Sequence, residues 1–385
     1  MKNNKAKLLA AAVAMGMSVQ ASAAIELHNT DGTTFSVDGY FNAFYTVESN
    51  EVPALGVDED QSRVRMGFLP NWIGFNVSKE IGDLKVGGRS SFWVSINDGH
   101  EQITETAIDV RQFYGTIDGD WGQVLIGKDF GIYGRSNIFN DGMLMGSGAP
   151  LDFAVDLVNN RPSGVTYGSI AVGYPYAAPV AQITYRSPVV NGFQLAVGVM
   201  DPESGEFTEV GQSADLSARF EAEATYSGEF DGGTFGAWLG LAAGESGSRE
   251  VLSSTQNNVD LEGDQNGVAY GAYIGSGGFK LTVSGYDQEG ISNITTGTAA
   301  GEDSEAEGYL VQAQYSTGKH RFLLGHSETE ETVLTGNETE WDLDTIAYFY
   351  SVNDNLTLVA QYDELEIDTL QSETKLFAIG AAISY

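Results

Sequence analysis

From Phe35 to Tyr385 the chain repeats one pattern: about ten residues of alternating apolar and polar side chains, then a connection, with short and long connections taking turns. The short connections are rich in Gly, Asp and Asn: Glu80-Ile81-Gly82, Asp118-Gly119-Asp120, Asp231-Gly232-Gly233, Gly277-Gly278, Thr317-Gly318-Lys319 and Asn353-Asp354-Asn355. The long ones are acidic, as in GISNITTGTAAGEDSEAE, TEETVLTGNETE and EIDTLQSET. The first eight segments run over Phe35–Val47, Ser62–Lys79, Asp83–Asn97, Ile108–Ile117, Trp121–Asp129, Ala181–Ser187, Phe193–Asp201 and Leu216–Gly228. The second eight run over Thr234–Ala243, Gly267–Ser276, Phe279–Asp287, Glu307–Ser316, His320–Ser327, Glu340–Val352, Leu356–Leu365 and Glu373–Tyr385. Sixteen is an even number, as a closed bacterial barrel requires. Alternating short and long connections suit strands threaded through a membrane from one side and are difficult for a soluble sandwich. The expected fold is therefore all-β, a transmembrane antiparallel β-barrel of sixteen strands.

The start of the chain agrees. Lys2, Lys5 and Lys7 form a basic lead, Leu8 to Val19 an apolar run, and Ala21-Ser22-Ala23 a cleavage site of the A-x-A type. Residues 1–23 thus read as a signal peptide cleaved after Ala23, and residues 24–385 as one domain. The apolar run is too short for a transmembrane helix, which needs ~20 residues, and no later stretch approaches one. The chain has no cysteine, so disulfides do not hold the exported domain together. Without the three leader lysines, 16 basic residues face 53 acidic ones, which excludes nucleic acid as a partner because a duplex is held by cations on its phosphates.

Two stretches carry further information. In KLFAIGAAISY, Phe377, Ile379, Ala381, Ile383 and Tyr385 share one face, while Thr374, Ala378, Gly380 and Ser384 share the other. The first face suits lipid and ends in an interfacial aromatic. In the middle of the chain, the hairpin Arg111–Asp129 empties into a connection reaching Pro162 that has neither clean alternation nor a helical stripe long enough to bury itself. It carries Ile, Phe, Met and Leu residues that a solvated loop would avoid, so it must pack against something, and in a wide barrel the inside could shelter it.

These segments resemble the Gram-negative general porins, trimeric outer-membrane diffusion channels. IELHNTDGTTFSVDGYFNAFY is similar to the family's opening, SRVRMGF to its second strand, RQFYGTIDGDWGQVLIGKD to its fourth and fifth, and ITYRSPVVNGFQLAVGV to its sixth and seventh. Gly380, Ile383 and the terminal Tyr385 resemble the signal read by the barrel assembly machinery. Two departures are a Lys at 128 where the family usually has Arg, and the absence of the P-E-F-G-G loop tip of enteric members. The resemblance implies a homotrimer in the outer membrane whose third outer loop folds into the lumen, its acidic residues facing a basic ladder on the opposite wall. By type, Asp141, Asp152 and Asp156 fit the loop, and Arg63, Arg65, Arg89 and Arg111 fit the ladder.

Parity supports that ladder. Arg63 and Arg65 lie opposite Val64, Met66 and Phe68. Lys85 and Arg89 lie opposite Leu84, Val86 and Phe92, and Arg111 lies opposite Val110 and Tyr114. Charge on the lipid face costs ~2 to 4 kcal/mol near the midplane, so these residues are expected to point inward. Lys128 has the parity of Val124 and Ile126 and is placed at the rim. The function expected is passive diffusion of small hydrophilic solutes and ions, with cations preferred because the outer loops are acidic. Those loops are read either as a solvated surface or as carboxylates that bridge lipopolysaccharide phosphates through divalent cations. A porin selective for a substrate such as an oligosaccharide is an alternative, with Trp93, Phe113, Tyr133, Phe139 and Phe153 for stacking. A secreted adhesive β-protein is another. No enzyme, cofactor or resident metal is expected: His28, His100, His320 and His326 are scattered, and Ser327, next to His326, points to the opposite face.

Overall fold

A computed structural model describes residues 24–53, 56–97, 108–149, 168–170, 172–201, 217–246, 251–252, 258–259, 263–291, 304–332, 338–369 and 371–385. The leader, Phe153, Asp152 and Asp156 lie outside the described residues. The strands are β1 (Ile25–Thr30), β2 (Thr33–Val52), β3 (Val57–Arg65), β4 (Asn71–Ile81), β5 (Leu84–Val94), β6 (Ile108–Gly119), β7 (Gly122–Phe130), β8 (Pro179–Arg186), β9 (Phe193–Met200) and β10 (Arg219–Phe230). They continue with β11 (Gly233–Ser246), β12 (Val251–Leu252), β13 (Asn258–Val259), β14 (Gly263–Ser276), β15 (Phe279–Glu289), β16 (Glu305–Thr317), β17 (His320–Thr332), β18 (Glu338–Asn353), β19 (Leu356–Ile367) and β20 (Ser372–Ser384). One short helix, α1 (Arg135–Asn140), interrupts the series between β7 and β8.

Every ladder is antiparallel, and neighbours in sequence are neighbours in the wall, with the short β12–β13 hairpin standing apart. The wall closes where β20 pairs with β2, from Tyr40 opposite Ser384 to Glu51 opposite Glu373. The second half of β2 pairs with β3 and its first half with β4, so β3 and β4 share one position; on the other side of β2, β1 pairs with the first half and β20 with the second, so they share another, and the ring has the expected sixteen. Closure removes the sheet edges that would otherwise expose unpaired backbone to lipid.

The predicted strand Ser62–Lys79 is thus split, and the chain leaves the ladder over residues 66–70. Pro70 has no N–H to give a neighbour. Side-chain amides take over the pairing: Met66 N donates to Asn97 Oδ1 (2.7 Å), Gly67 N to Asn42 Oδ1 (2.5 Å), and Asn42 Nδ2 to Leu69 O (2.6 Å). A second irregularity is the register shift in β5 between Ser91 and Trp93, opposite residues 109–112 of β6. This bulge overturns the expectation that Tyr114 lies opposite Arg111: Arg111 bonds Tyr176 of the β7–β8 connection, Tyr114 is half-buried on the face of the buried Gln112, and Phe113 points outward at 64 % exposure.

The two faces divide as the alternation requires. Phe41, Tyr45, Val64, Ile73, Leu324, Ile346, Phe377 and Ile379 are exposed on the outside. Thr46, Asn50, Ser284, Gln288, Gln312, Thr329, Gln361 and Asp363 are buried on the inside. An apolar exterior around a polar interior suits lipid as the surrounding solvent and water within. No described helix is long and apolar enough to cross a membrane; the strands do so. At the β14–β15 turn, Gly277 and Gly278 both take positive φ (60° and 90°), the backbone that a two-residue hairpin of matching twist demands.

Candidate pore lining

Along its described length the connection after β7 bonds to buried residues of the wall strands. Glu221 on β10 accepts the N–H groups of Ile132 (2.6 Å) and Tyr133 (2.9 Å), and Glu223 accepts that of Ser136 (3.2 Å). Trp238 on β11 donates to Asn137 (2.8 Å), whose own amide donates to Gly285 O on β15 (3.3 Å). Gly142 N donates to Gln312 on β16 (2.7 Å), Ser147 N to Gln361 on β19 (2.8 Å), and Gly173 N to Thr329 on β17 (2.9 Å). On the far side Phe68 N, in the β3–β4 break, donates to Gly146 O (3.0 Å). The connection's backbone thus finds on the wall the partners that a solvated loop would find in water. Residues 135–140 form a turn and a half of helix that the sequence reading lacked: a stripe so short shows no period, and Gly134 admits the left-handed N-cap (φ 72°).

Asp141, at the end of α1, is buried and accepts three bonds: from the Tyr174 hydroxyl (2.5 Å), Gln312 Nε2 (2.6 Å) and Met143 N (2.8 Å). Burial, followed by this carboxylate's charge, pushes the Tyr174 phenol well above its ordinary range. Asp141 therefore acts first as a clasp for the connection.

The expected ladder comes with its own counter-charges. Arg65 is fully buried and pairs with Glu48 (2.5 Å). Arg89 grips Asp38 with both arms (2.6 and 2.9 Å) and reaches Asn76 (2.8 Å) and Gln112 (2.8 Å). Arg111 pairs with Asp109 (2.7 Å), donates to Tyr176 Oη (3.2 Å) and lies over the Trp93 ring (5.2 Å). Arg63 is half-buried on the same strand as Arg65. From Arg89 a chain of bonds runs through Gln112 to Asp129 (2.8 Å), which lies 3.5 Å from Arg135 on α1. Local pairing of this kind could not be read from one strand at a time, because Glu48 and Asp38 sit on β2. Lys128 is exposed with Ile126 on the outer face near the end of β7.

Among the described residues, further inward cations went unsuspected besides Arg219, which pairs with Glu221: Arg186 ending β8, Lys280 opening β15 and Arg321 opening β17. Each has the parity of buried neighbours, Thr184, Thr282 and Leu323, and that was the available signal. Arg321 donates to Gly142 O (2.8 Å) and Gln314 (3.1 Å) and lies over the Phe349 ring (3.6 Å). Arg186 and Lys280 line a cavity beside α1.

At the C-terminus, Tyr385 stacks on Phe41 (5.7 Å) and exchanges backbone bonds with Gly39 (2.9 and 3.1 Å), Ile383 faces outward, and Gly380 packs on Phe44. Among the described residues two outward groups bring ligand atoms together, His326 with Glu328 and Asp342, and Glu364 with Glu366 and Glu373. Ser327 is buried on the opposite face from His326.

A family model described as Gram-negative porin matches residues 9–370. Among solved structures, the anion-selective porin of Comamonas acidovorans is 15 % identical, with a TM-score of 0.66 over 92 % of this chain and 100 % of that one. The outer membrane channel DcaP of Acinetobacter baumannii is 15 % identical, with a TM-score of 0.63 over 94 % and 100 %. The outer membrane protein OmpT of Vibrio cholerae is 13 % identical, with a TM-score of 0.60 over 93 % and 99 %. Comparison with curated protein sequences gives no match.

Proposed function

The chain belongs to the Gram-negative porin family of outer-membrane barrels, and from that premise we propose that it forms a water-filled channel for passive diffusion of small hydrophilic solutes and ions, preferring cations. The observation that carries the reading is the inverted architecture, a closed ring with buried amides, hydroxyls and charges inside and exposed aliphatic and aromatic side chains outside. The connection bearing α1 narrows the lumen, and the leader is removed after Ala23. The assembled form is a homotrimer, with Gly380, Ile383 and Tyr385 as its assembly signal. Transport needs no catalysis and no cofactor.

Cation preference rests on two features. The chain carries a net charge of −34, and Arg65, Arg89 and Arg111 each hold a carboxylate, so the ladder offers little net attraction to anions. Asp141, Asp152 and Asp156 belong on the loop side of the narrowing. The carboxylates at the long-loop ends of β17 to β20 are suited to divalent cations that bridge lipopolysaccharide phosphates. An oligosaccharide channel is not favoured: Phe113 faces outward, and Trp93 and Tyr133 are packed among neighbours.

Reconstitution of the detergent-purified protein into a planar bilayer under a potassium chloride gradient tests this. Conductance steps in triplets, with a reversal potential towards the potassium value, are expected. Absence of steps rules out the channel, and anion preference rules out the assigned selectivity.

A further inference from the structure

Alongside α1, the wall strands β8 to β11, β14 and β15 border an open-mouthed cavity whose lining includes Arg135, Arg186, Lys280, Glu223, Phe139 and Tyr273. Three cations and one carboxylate face the same space. Nη1 of Arg135 is buried without a hydrogen bond, although Asp129 lies 3.5 Å away. Arg186 makes no hydrogen bond or ion pair with the described residues, and Lys280 rests over the Tyr273 ring (4.7 Å). Glu223 is already committed in part to Ser136 N (3.2 Å). The contrast is with the ladder across the lumen, where each of Arg65, Arg89 and Arg111 has its own carboxylate. Like charges gathered around a cavity with too few counter-charges favour an anionic occupant.

The geometry points to a binding subsite for small organic anions that have a carboxylate head and a flat apolar body. Guanidinium groups match a carboxylate through paired N–H donors, and Lys280 adds a point charge. The Phe139 and Tyr273 rings lie at the same cavity and offer faces and edges to a flat hydrocarbon, which inorganic ions would leave unused. The acidic outer surface does not forbid this. Its field is screened within a Debye length of about 8 Å at physiological salt, whereas charges in a confined cavity are screened less. The subsite deepens the channel reading and rests on it: a solute held briefly here would be enriched in the lumen before release.

The test is interruption of the single-channel potassium current of the reconstituted full-length trimer by added benzoate, with acetate and inorganic phosphate as comparisons. Benzoate is expected to block at a concentration about tenfold or more below that of either comparison, as the sum of charge pairing and ring contact requires. Arg186→Gln and Lys280→Gln should each raise the half-blocking concentration several-fold, while Lys319→Gln, in the β16–β17 turn, should not. Heat-modifiable mobility on gels establishes that each variant is folded. Equal potency of acetate, stronger block by phosphate, or unchanged block in both cavity variants overturns the subsite and leaves the channel standing. Absence of current in the unaltered protein overturns the channel itself.

Discussion

Asp141 shows how a residue chosen by type acquires its role from partners that are distant in sequence. Its three donors come from Met143, Tyr174 and Gln312, of which only the first is near in the chain. Asp141→Ala leaves the Tyr174 hydroxyl and the Gln312 amide buried without an acceptor, at ~1 to 3 kcal/mol each. Thermal unfolding followed by circular dichroism should show that loss, and Asp141→Asn, which keeps one acceptor oxygen, should lose less. The same contact sets a pH limit. Because the folded protein holds the Tyr174 phenol protonated above its ordinary range, its contribution is complete below about pH 10 and is lost as pH rises through the folded value. The alkaline fall in stability should therefore be shallower in Tyr174→Phe than in the unaltered protein, and equal slopes would count against it. Arg65 makes a harsher case: Arg65→Gln strands the Glu48 charge in a buried site, and a loss of ~3 to 5 kcal/mol is expected. That Arg65 points inward was legible from parity within SRVRMGF. That it is neutralised there was not, because Glu48 lies on the neighbouring strand.

Elements were legible where one strand carries its own instructions, and illegible where two elements negotiate. The segments Phe279–Asp287 and His320–Ser327 alternate cleanly and follow glycine turns, and β15 and β17 start as expected. Ser62–Lys79 also alternates, yet it breaks at residues 66–70 because Asn42, Asn71 and Asn97 supply the bonds that the ladder gives up. The break has a use. At Gly67 an added Cβ would collide with Gly146 O and crowd the Phe44 ring, so the absence of a side chain lets the connection dock here. Gly67→Val should push the connection off the wall, costing ~1 to 3 kcal/mol through overpacking. On the proposed reading that the connection narrows the lumen, single-channel conductance should then rise. Unchanged conductance in a folded variant would mean that residues 143–149 do not limit the passage.

At the scale of the whole molecule two fields compete, and ionic strength separates them. Carboxylates crowd the long-loop ends of the wall, as in the rows Glu307, Glu330, Glu340 and Glu328, Asp342, Glu366, which lie side by side across β16 to β19. These groups are exposed or half-buried, and their reach is a Debye length, about 10 Å near 0.1 M salt and about 3 Å near 1 M. The inner charges sit in pairs or around the cavity beside α1. If the outer carboxylates set the preference for potassium over chloride, the permeability ratio should fall towards unity as both sides are raised from about 0.1 M to about 1 M at a fixed gradient. If the lumen sets it, the ratio should persist. The acidic composition that made cations the expected choice belongs to the surface, so we expect the ratio to fall. A preference that survives at high salt would locate selectivity among the buried pairs instead, and would make Asp38 and Glu48 the residues to neutralise first.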